Sequence, residues 1–227
     1  DTVTFADTGA TVTLSNVETV VGSAIDDLVT IATAGAPVSV DLGSGSDRLT
    51  LGDFVGTVTA STVETITGGA SADTVILGSQ ATGSTIDLGA GADRLTLGDF
   101  VNTVTVSNVE TITGGVSSDT VTLATQASGG AIDLGAGADR LTLGGFANTL
   151  TVSNVETLVG GGLADTVTLA TQATGATVDL GAGADRLTLG DFVNTVTVTN
   201  VETVTGGASA DTVTLGAATT GFTIGLG

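Results

Sequence analysis

Asp133-Leu134-Gly135-Ala136-Gly137-Ala138-Asp139-Arg140-Leu141-Thr142-Leu143 is the stretch that decides the fold. Its first half is a turn, because glycine reaches positive φ at no steric cost and alternates here with small residues. Its second half is a strand. Leu141 and Leu143 alternate with Arg140 and Thr142, the period-two pattern of a half-buried β-strand with its leucines inward. The same Asp-Leu-Gly-x-Gly-x-Asp-Arg-Leu-Thr-Leu run begins at Asp41, Asp87 and Asp179.

Those copies belong to one 46-residue unit. Arg48, Arg94, Arg140 and Arg186 keep that interval, as do Glu18, Glu64, Glu110, Glu156 and Glu202, and Phe54, Phe100, Phe146 and Phe192. A finer rhythm runs inside it. Asp1, Asp27, Asp47, Asp73, Asp93, Asp119, Asp139, Asp165, Asp185 and Asp211 each precede a short alternating run, at spacings of 26 and 20 residues in turn. Further strands are legible at Thr103–Val106, Val109–Ile112 and Ala131–Leu134. Helix is not expected, given so much Thr, Val and Gly and no 3.6-residue period.

Near-identical copies with tight turns point to an all-β parallel solenoid (a β-roll or β-helix), with equivalent strands stacked in register. Spans of 20 and 26 residues suit single coils, so the expectation is two coils per unit and about ten rungs. On that scheme Leu95 and Leu97 stack on Val121 and Leu123, while Arg94 and Thr120 share an outward column. Residues 1–227 read as a single repetitive domain, expected to be a segment of a longer chain or fibre that associates end to end or with neighbouring repeats.

Composition narrows the function. The 227 residues hold 24 acids against 4 arginines, a net charge of −20. Nucleic-acid phosphate and anionic lipid call for the opposite sign, so neither is an expected partner. No apolar run approaches the ~18 residues of a membrane-spanning helix. With 41% hydrophobic residues the chain can bury a core, yet with no Trp or Tyr and 6 Phe that core must be thin. His and Cys are absent, which removes Ser-His and Cys-His nucleophile devices. Carboxylate pairs such as Asp87 with Asp93 recur in every full unit, whereas a catalytic site breaks the symmetry of its scaffold. No enzyme is expected.

The Gly-x-Gly-x-Asp turns resemble the RTX, or haemolysin-type calcium-binding, repeat family, whose signature is G-G-x-G-x-D-x-U-x with U a large apolar residue. The resemblance runs the length of the chain. It implies a parallel β-roll with calcium between the turns of successive coils, held by the Asp carboxylate and by carbonyls of the glycine-rich turn. Carried over by position, the ligands are Asp47, Asp93, Asp139 and Asp185, with Gly43, Gly45, Gly89, Gly91, Gly135, Gly137, Gly181 and Gly183 shaping the turns. The looser turns add Asp27, Asp73, Asp119, Asp165 and Asp211. The chain departs from the signature in three ways: the nine-residue period is lost, leucine replaces the first glycine of the stricter turns, and Ile25 and Leu163 occupy turn-glycine positions.

Charge physics bears on the same residues. Stacked carboxylates ~4.8 Å apart repel by roughly 3.5 kcal/mol at an effective dielectric of 20. Asn would serve a plain turn ladder without that cost, yet every position is Asp, and a bridging cation explains the choice. Calcium tolerates irregular shells of six to eight oxygens, where magnesium demands an octahedron. The competing reading is solvated turn aspartates that maintain solubility.

The remaining features read as structural. The arginines are expected outward, neutralising acids such as Asp99 or Glu110, with an acidic polysaccharide as the other partner they would suit. Asp53, Asp99 and Asp191 read as turn residues, and Asn16, Asn108, Asn154 and Asn200 as a turn ladder interrupted by Thr62. The phenylalanines read as core plugs. Outward Thr-x-Thr pairs raise ice binding, but a column alternating Thr120-Val121-Thr122 with Arg140-Leu141-Thr142 would place a guanidinium on every second rung. The expected protein is a calcium-stabilised structural module, secreted or at a bacterial cell surface, as in a surface-layer protein, adhesin stalk or filament. A polysaccharide-binding or ice-binding solenoid is the alternative.

Overall fold

The computed structural model describes residues 1–216 and 221–227, which form two compact units, Asp1–Gly115 and Val116–Gly227. The first contains β1 (Thr2–Thr4), β2 (Thr11–Ser15), β3 (Thr19–Ser23), β4 (Leu28–Thr33), β5 (Val38–Gly43), β6 (Arg48–Leu51), β7 (Gly56–Ser61), β8 (Thr65–Thr67), β9 (Asp73–Leu77), β10 (Thr82–Asp87), β11 (Arg94–Thr96), β12 (Thr103–Ser107) and β13 (Thr111–Gly115). The second contains β14 (Thr120–Leu123), β15 (Ser128–Gly135), β16 (Arg140–Thr142), β17 (Thr149–Ser153), β18 (Thr157–Gly161), β19 (Thr166–Leu169), β20 (Thr174–Gly181), β21 (Arg186–Thr188), β22 (Thr195–Thr199), β23 (Thr203–Thr205), β24 (Thr212–Leu215) and β25 (Thr223–Gly225). Among the described residues there is no helix.

Within each unit the odd-numbered strands form one parallel sheet and the even-numbered strands another, each strand pairing with the one two further on. That is the expected all-β parallel solenoid. The chain turns a corner after every strand, alternates between the faces, and returns one rung higher. Side chains that point between the faces make the core: Leu42, Leu49, Leu88, Leu95, Leu97, Leu134, Leu141 and Leu180 are all 0% exposed. The leucine standing in place of the family's first turn glycine (Leu42, Leu88, Leu134 and Leu180) is thus an inward core residue.

The winding corrects one expectation. A 46-residue unit holds five strands, for example β11 to β15, and two faces share them, so a unit is two and a half coils rather than two. The 20-residue spacing spans one coil, while the 26-residue spacing spans three strands and ends on the opposite face. Arg48 and Arg140 therefore lie on even-numbered strands, Arg94 and Arg186 on odd-numbered ones. The 25 described strands, shared between two faces, also make more rungs than the ten expected.

Register follows from this parity. Leu95 stacks between Val75 and Ile112, not on Val121, and Arg94 stands in an outward column between Thr74 and Thr111. The inward and outward assignments along each strand hold: Leu95 and Leu97 are buried and Arg94 is exposed.

Two side-chain expectations also change. Phe100, Phe146 and Phe192 are 38%, 39% and 42% exposed at loop tips, so they are not core plugs; leucine and valine already fill the narrow space between the faces. Among the described residues no arginine lies within ion-pair distance of a carboxylate. Arg48 instead reaches the Thr67 hydroxyl on the next rung at 3.4 Å.

Candidate functional site

The ten repeating aspartates sit where a turn becomes a strand, and this corner decides their chemistry. Asp27, Asp47, Asp73, Asp93, Asp119, Asp139, Asp165 and Asp185 are at most 2% exposed. The solvated-aspartate reading is therefore excluded for these eight. Asp211 is half-buried and Asp1 exposed.

One oxygen of each buried carboxylate has a structural duty. The Asp139 Oδ1 accepts the backbone N–H of Asp119 at 2.6 Å, and Asp185 Oδ1 accepts that of Asp165 at 2.6 Å. Asp47 and Asp93 do the same for Asp27 and Asp73, each at 2.7 Å. On the next rung a glutamate takes over. Glu64, Glu110 and Glu156 accept the N–H of Asp47, Asp93 and Asp139 at 2.8 Å, and Glu202 that of Asp185 at 2.7 Å. At a solenoid corner the backbone N–H points along the stack, and the side chain one coil further on satisfies it.

Below the later aspartates stands a residue that sequence reasoning missed, an asparagine where the earlier repeats have Ala10 and Gly56. Asn148, 1% exposed, accepts the Ala127 N–H through Oδ1 at 3.0 Å. Its Nδ2 donates to the Leu143 and Phe146 carbonyls and to Asp165 Oδ1 at 2.8 Å. The second unit thus holds a continuous ladder, Ala127, Asn148, Asp165, Asp185 and Glu202. The signal was present in the 46-residue recurrence of Asn102, Asn148 and Asn194. Asn148→Ala leaves four hydrogen bonds without a partner in a buried corner. Each orphaned group costs about 1–3 kcal/mol, so a lower denaturation midpoint is expected. An unchanged midpoint would show the asparagine to be dispensable.

Asp27 uses both oxygens, its Oδ2 accepting the Ser23 N–H and hydroxyl. Elsewhere the second oxygen has no such duty: Asp47, Asp93, Asp139, Asp165, Asp185 and Asp211 Oδ2, and Asp73 Oδ1, are buried without a hydrogen-bond partner. An ionised oxygen in that state is costly. Burial accordingly pushes Asp73 and Asp139 up to about 6, with neighbouring carboxylates adding to the rise: Asp93 and Asp53 in the first case, Glu156 and Asp119 in the second. Hydrogen bonds from Gly69 N–H and Asp119 N–H oppose it. Burial also raises Asp47, Asp93 and Asp185.

The glycines let the neighbouring backbone pack closely against these carboxylates. Gly43, Gly89, Gly135 and Gly181 have φ between 83° and 88°, and Gly45, Gly91, Gly137 and Gly183 between 150° and 159°. A Cβ on Gly183 would stand 2.8 Å from Asp185 Oδ1, and one on Gly160 would stand 2.7 Å from Asp165 Oδ2. Among the described residues no three carboxylates converge as a ready-made metal cluster. A cation here would need turn carbonyls to complete its shell. Hard oxygen donors of that kind, with an orphaned carboxylate oxygen among them, fit calcium better than a transition metal.

The motif's leading aspartates do a different job. Asp87, Asp133 and Asp179 accept the side-chain amides of Asn108, Asn154 and Asn200 at 2.7, 2.7 and 2.8 Å. Thr62 makes the equivalent bond to Asp41 through its hydroxyl at 2.5 Å. All four partners, with Asn16, have φ of 51–54°, a region asparagine tolerates and β-branched threonine rarely enters. The asparagines thus pair singly with aspartates one coil earlier rather than stacking as the expected ladder, and Thr62 does not interrupt the series but makes the same bond with a shorter donor. Asp53 and Asp191 accept the Ala70 and Ala208 N–H, as turn residues do.

No family model matches the chain, and neither does any curated protein or solved structure.

Proposed function

We propose that the chain is a non-catalytic structural module, secreted or displayed at a bacterial cell surface, whose solenoid corners are completed by calcium. A surface-layer protein, an adhesin stalk or a filament is the setting that suits a stiff acidic solenoid. One observation carries the reading: a buried carboxylate oxygen with no hydrogen-bond partner recurs at Asp47, Asp73, Asp93, Asp139, Asp165, Asp185 and Asp211, in turns whose glycines let the neighbouring backbone approach closely. Asp47, Asp93, Asp139 and Asp185 are the principal ligands, in turns shaped by the Gly-x-Gly pairs. Asp27, Asp73, Asp119, Asp165 and Asp211 contribute from the neighbouring coils. Bound calcium neutralises the stacked carboxylates and so ties one coil to the next.

Substitution separates this reading from plain structural turns. Asp139→Asn and Asp93→Asn retain the Oδ1 acceptor but remove the charge, so they are expected to weaken the rise in melting temperature on adding millimolar calcium. Asp99→Asn, in the turn between β11 and β12 and not one of the repeating strand-initiating aspartates, is expected to leave that rise unchanged. An equal response from all three would remove the corner aspartates from the calcium sites.

A further inference from the structure

Because successive units present their arginines on opposite faces, the outer surface is less interrupted than a two-coil winding allows. In the second unit the odd-numbered sheet carries an outward column Thr149–Thr166–Arg186–Thr203–Thr223. Beside it runs Thr151–Thr168–Thr188–Thr205. Thr-x-Thr pairs thus stand on β17, β19 and β23, with Arg186 the single guanidinium; Arg140 lies on the even-numbered β16. These threonines are exposed or half-exposed, and no register shift breaks the pairing from β17 to β25.

Charge gives an independent indication. The chain carries −20, yet neither column contains an acid. The even-numbered sheet of the same unit shares one such column, Arg140–Thr157–Thr177–Thr197–Thr214, but the column beside it runs Thr142–Val159–Asp179–Thr199 and carries an acid. An acid-free, regular face with one guanidinium on so acidic a protein suits an uncharged, regular partner. Parallel strands lie ~4.8 Å apart and alternate residues ~6.6 Å along the strand, so the backbone fixes the hydroxyls and methyls on a two-dimensional lattice. β-Branching stiffens each side chain at χ1. The lattice approximates the oxygen repeats on a prism face of hexagonal ice. No aromatic ring stands in either column, so a sugar has no stacking platform there.

We propose that this threonine face of the second unit binds ice. The proposal does not depend on the calcium reading, whose failure would appear instead as a melting curve indifferent to chelator. The test grows a polycrystalline ice surface slowly in a dilute solution of the folded full chain and measures the fraction of protein taken up. Wild type is expected in the ice. Thr168→Tyr, at the centre of the array, is expected to remain in the liquid, and Thr142→Tyr, in the acid-bearing column of the even-numbered sheet, to be taken up like wild type. Circular dichroism confirms folding of each variant, and Thr151→Tyr replaces Thr168→Tyr should the latter fail to fold. Folded wild type left in the liquid would overturn the proposal, as would equal uptake of the Thr168 and Thr142 variants. Retention on crystalline cellulose with exclusion from ice would overturn it too, and reassign the face to a neutral glycan.

Discussion

Leu97→Asp is expected to abolish the cooperative melting of the first unit or lower it drastically, while Thr96→Ser leaves it nearly unchanged. The two residues are neighbours in sequence and opposites in environment. Leu97 is 0% exposed between the two faces, and Thr96 lies on the outward side of β11. A carboxylate at position 97 finds no counter-charge, and an unpaired buried charge costs on the order of 4–5 kcal/mol or more. Serine at 96 loses one methyl from the surface, within about 0.5 kcal/mol. Thermal denaturation of both variants followed by circular dichroism decides the matter. A stable Leu97→Asp chain would mean that the inward register is wrong.

The second large effect is an inverted pH dependence. In calcium-free buffer the chain is expected to melt higher at pH 5 than at pH 7.5, against the usual direction of acid denaturation. Asp73 and Asp139 have folded pKa values raised to about 6. The unfolded chain titrates near the ordinary aspartate value, so between roughly pH 4 and 6 the folded state binds more protons. Stability is then greatest below the unfolded pKa and falls as pH rises through about 6. Relief of the −20 self-repulsion acts in the same direction. Asp73→Asn with Asp139→Asn should flatten the slope, because asparagine is neutral throughout. Saturating calcium should oppose it, since a cation requires the ionised form. A calcium-free chain that melts lower at pH 5 would contradict the assignment of those carboxylates as buried and unpartnered.

Much of the fold was legible in the sequence because the hydrophobic alternation is local. The runs at Arg94, Thr103, Thr120 and Ala131 each became a strand with leucines, isoleucines and valines inward. The run expected from Val109 begins as a strand only at Thr111, with Val109 and Glu110 lying before it. What the alternation does not encode is how many strands make one coil. Aspartate spacings of 20 and 26 look like two coils of unequal length, and only the pairing of Arg94 with Thr74 and Thr111 reveals that the longer span carries an extra strand. That parity error produced the expectation of a guanidinium on every second rung. The site was legible in part. The Gly-x-Gly-x-Asp turns identified the aspartates and the positive-φ glycines, but not that one oxygen of each carboxylate would be spent on the backbone of the coil below. Asn148 went unnoticed because it stands 17 residues before its partner Asp165, a distance that carries meaning only once the coil length is known.

The central claim is that the orphaned carboxylate oxygens of the corners hold calcium and that the solenoid depends on it. The most direct measurement is the melting curve of the full chain at pH 7.5 after exhaustive chelation, and again with millimolar calcium or millimolar magnesium. The expected result is a loss of β-sheet signal or a much lower melting temperature in chelator, restored by calcium and far less by magnesium. Superimposable curves in all three buffers would contradict it, and would leave a solenoid held by its leucine and valine core and its corner hydrogen bonds alone.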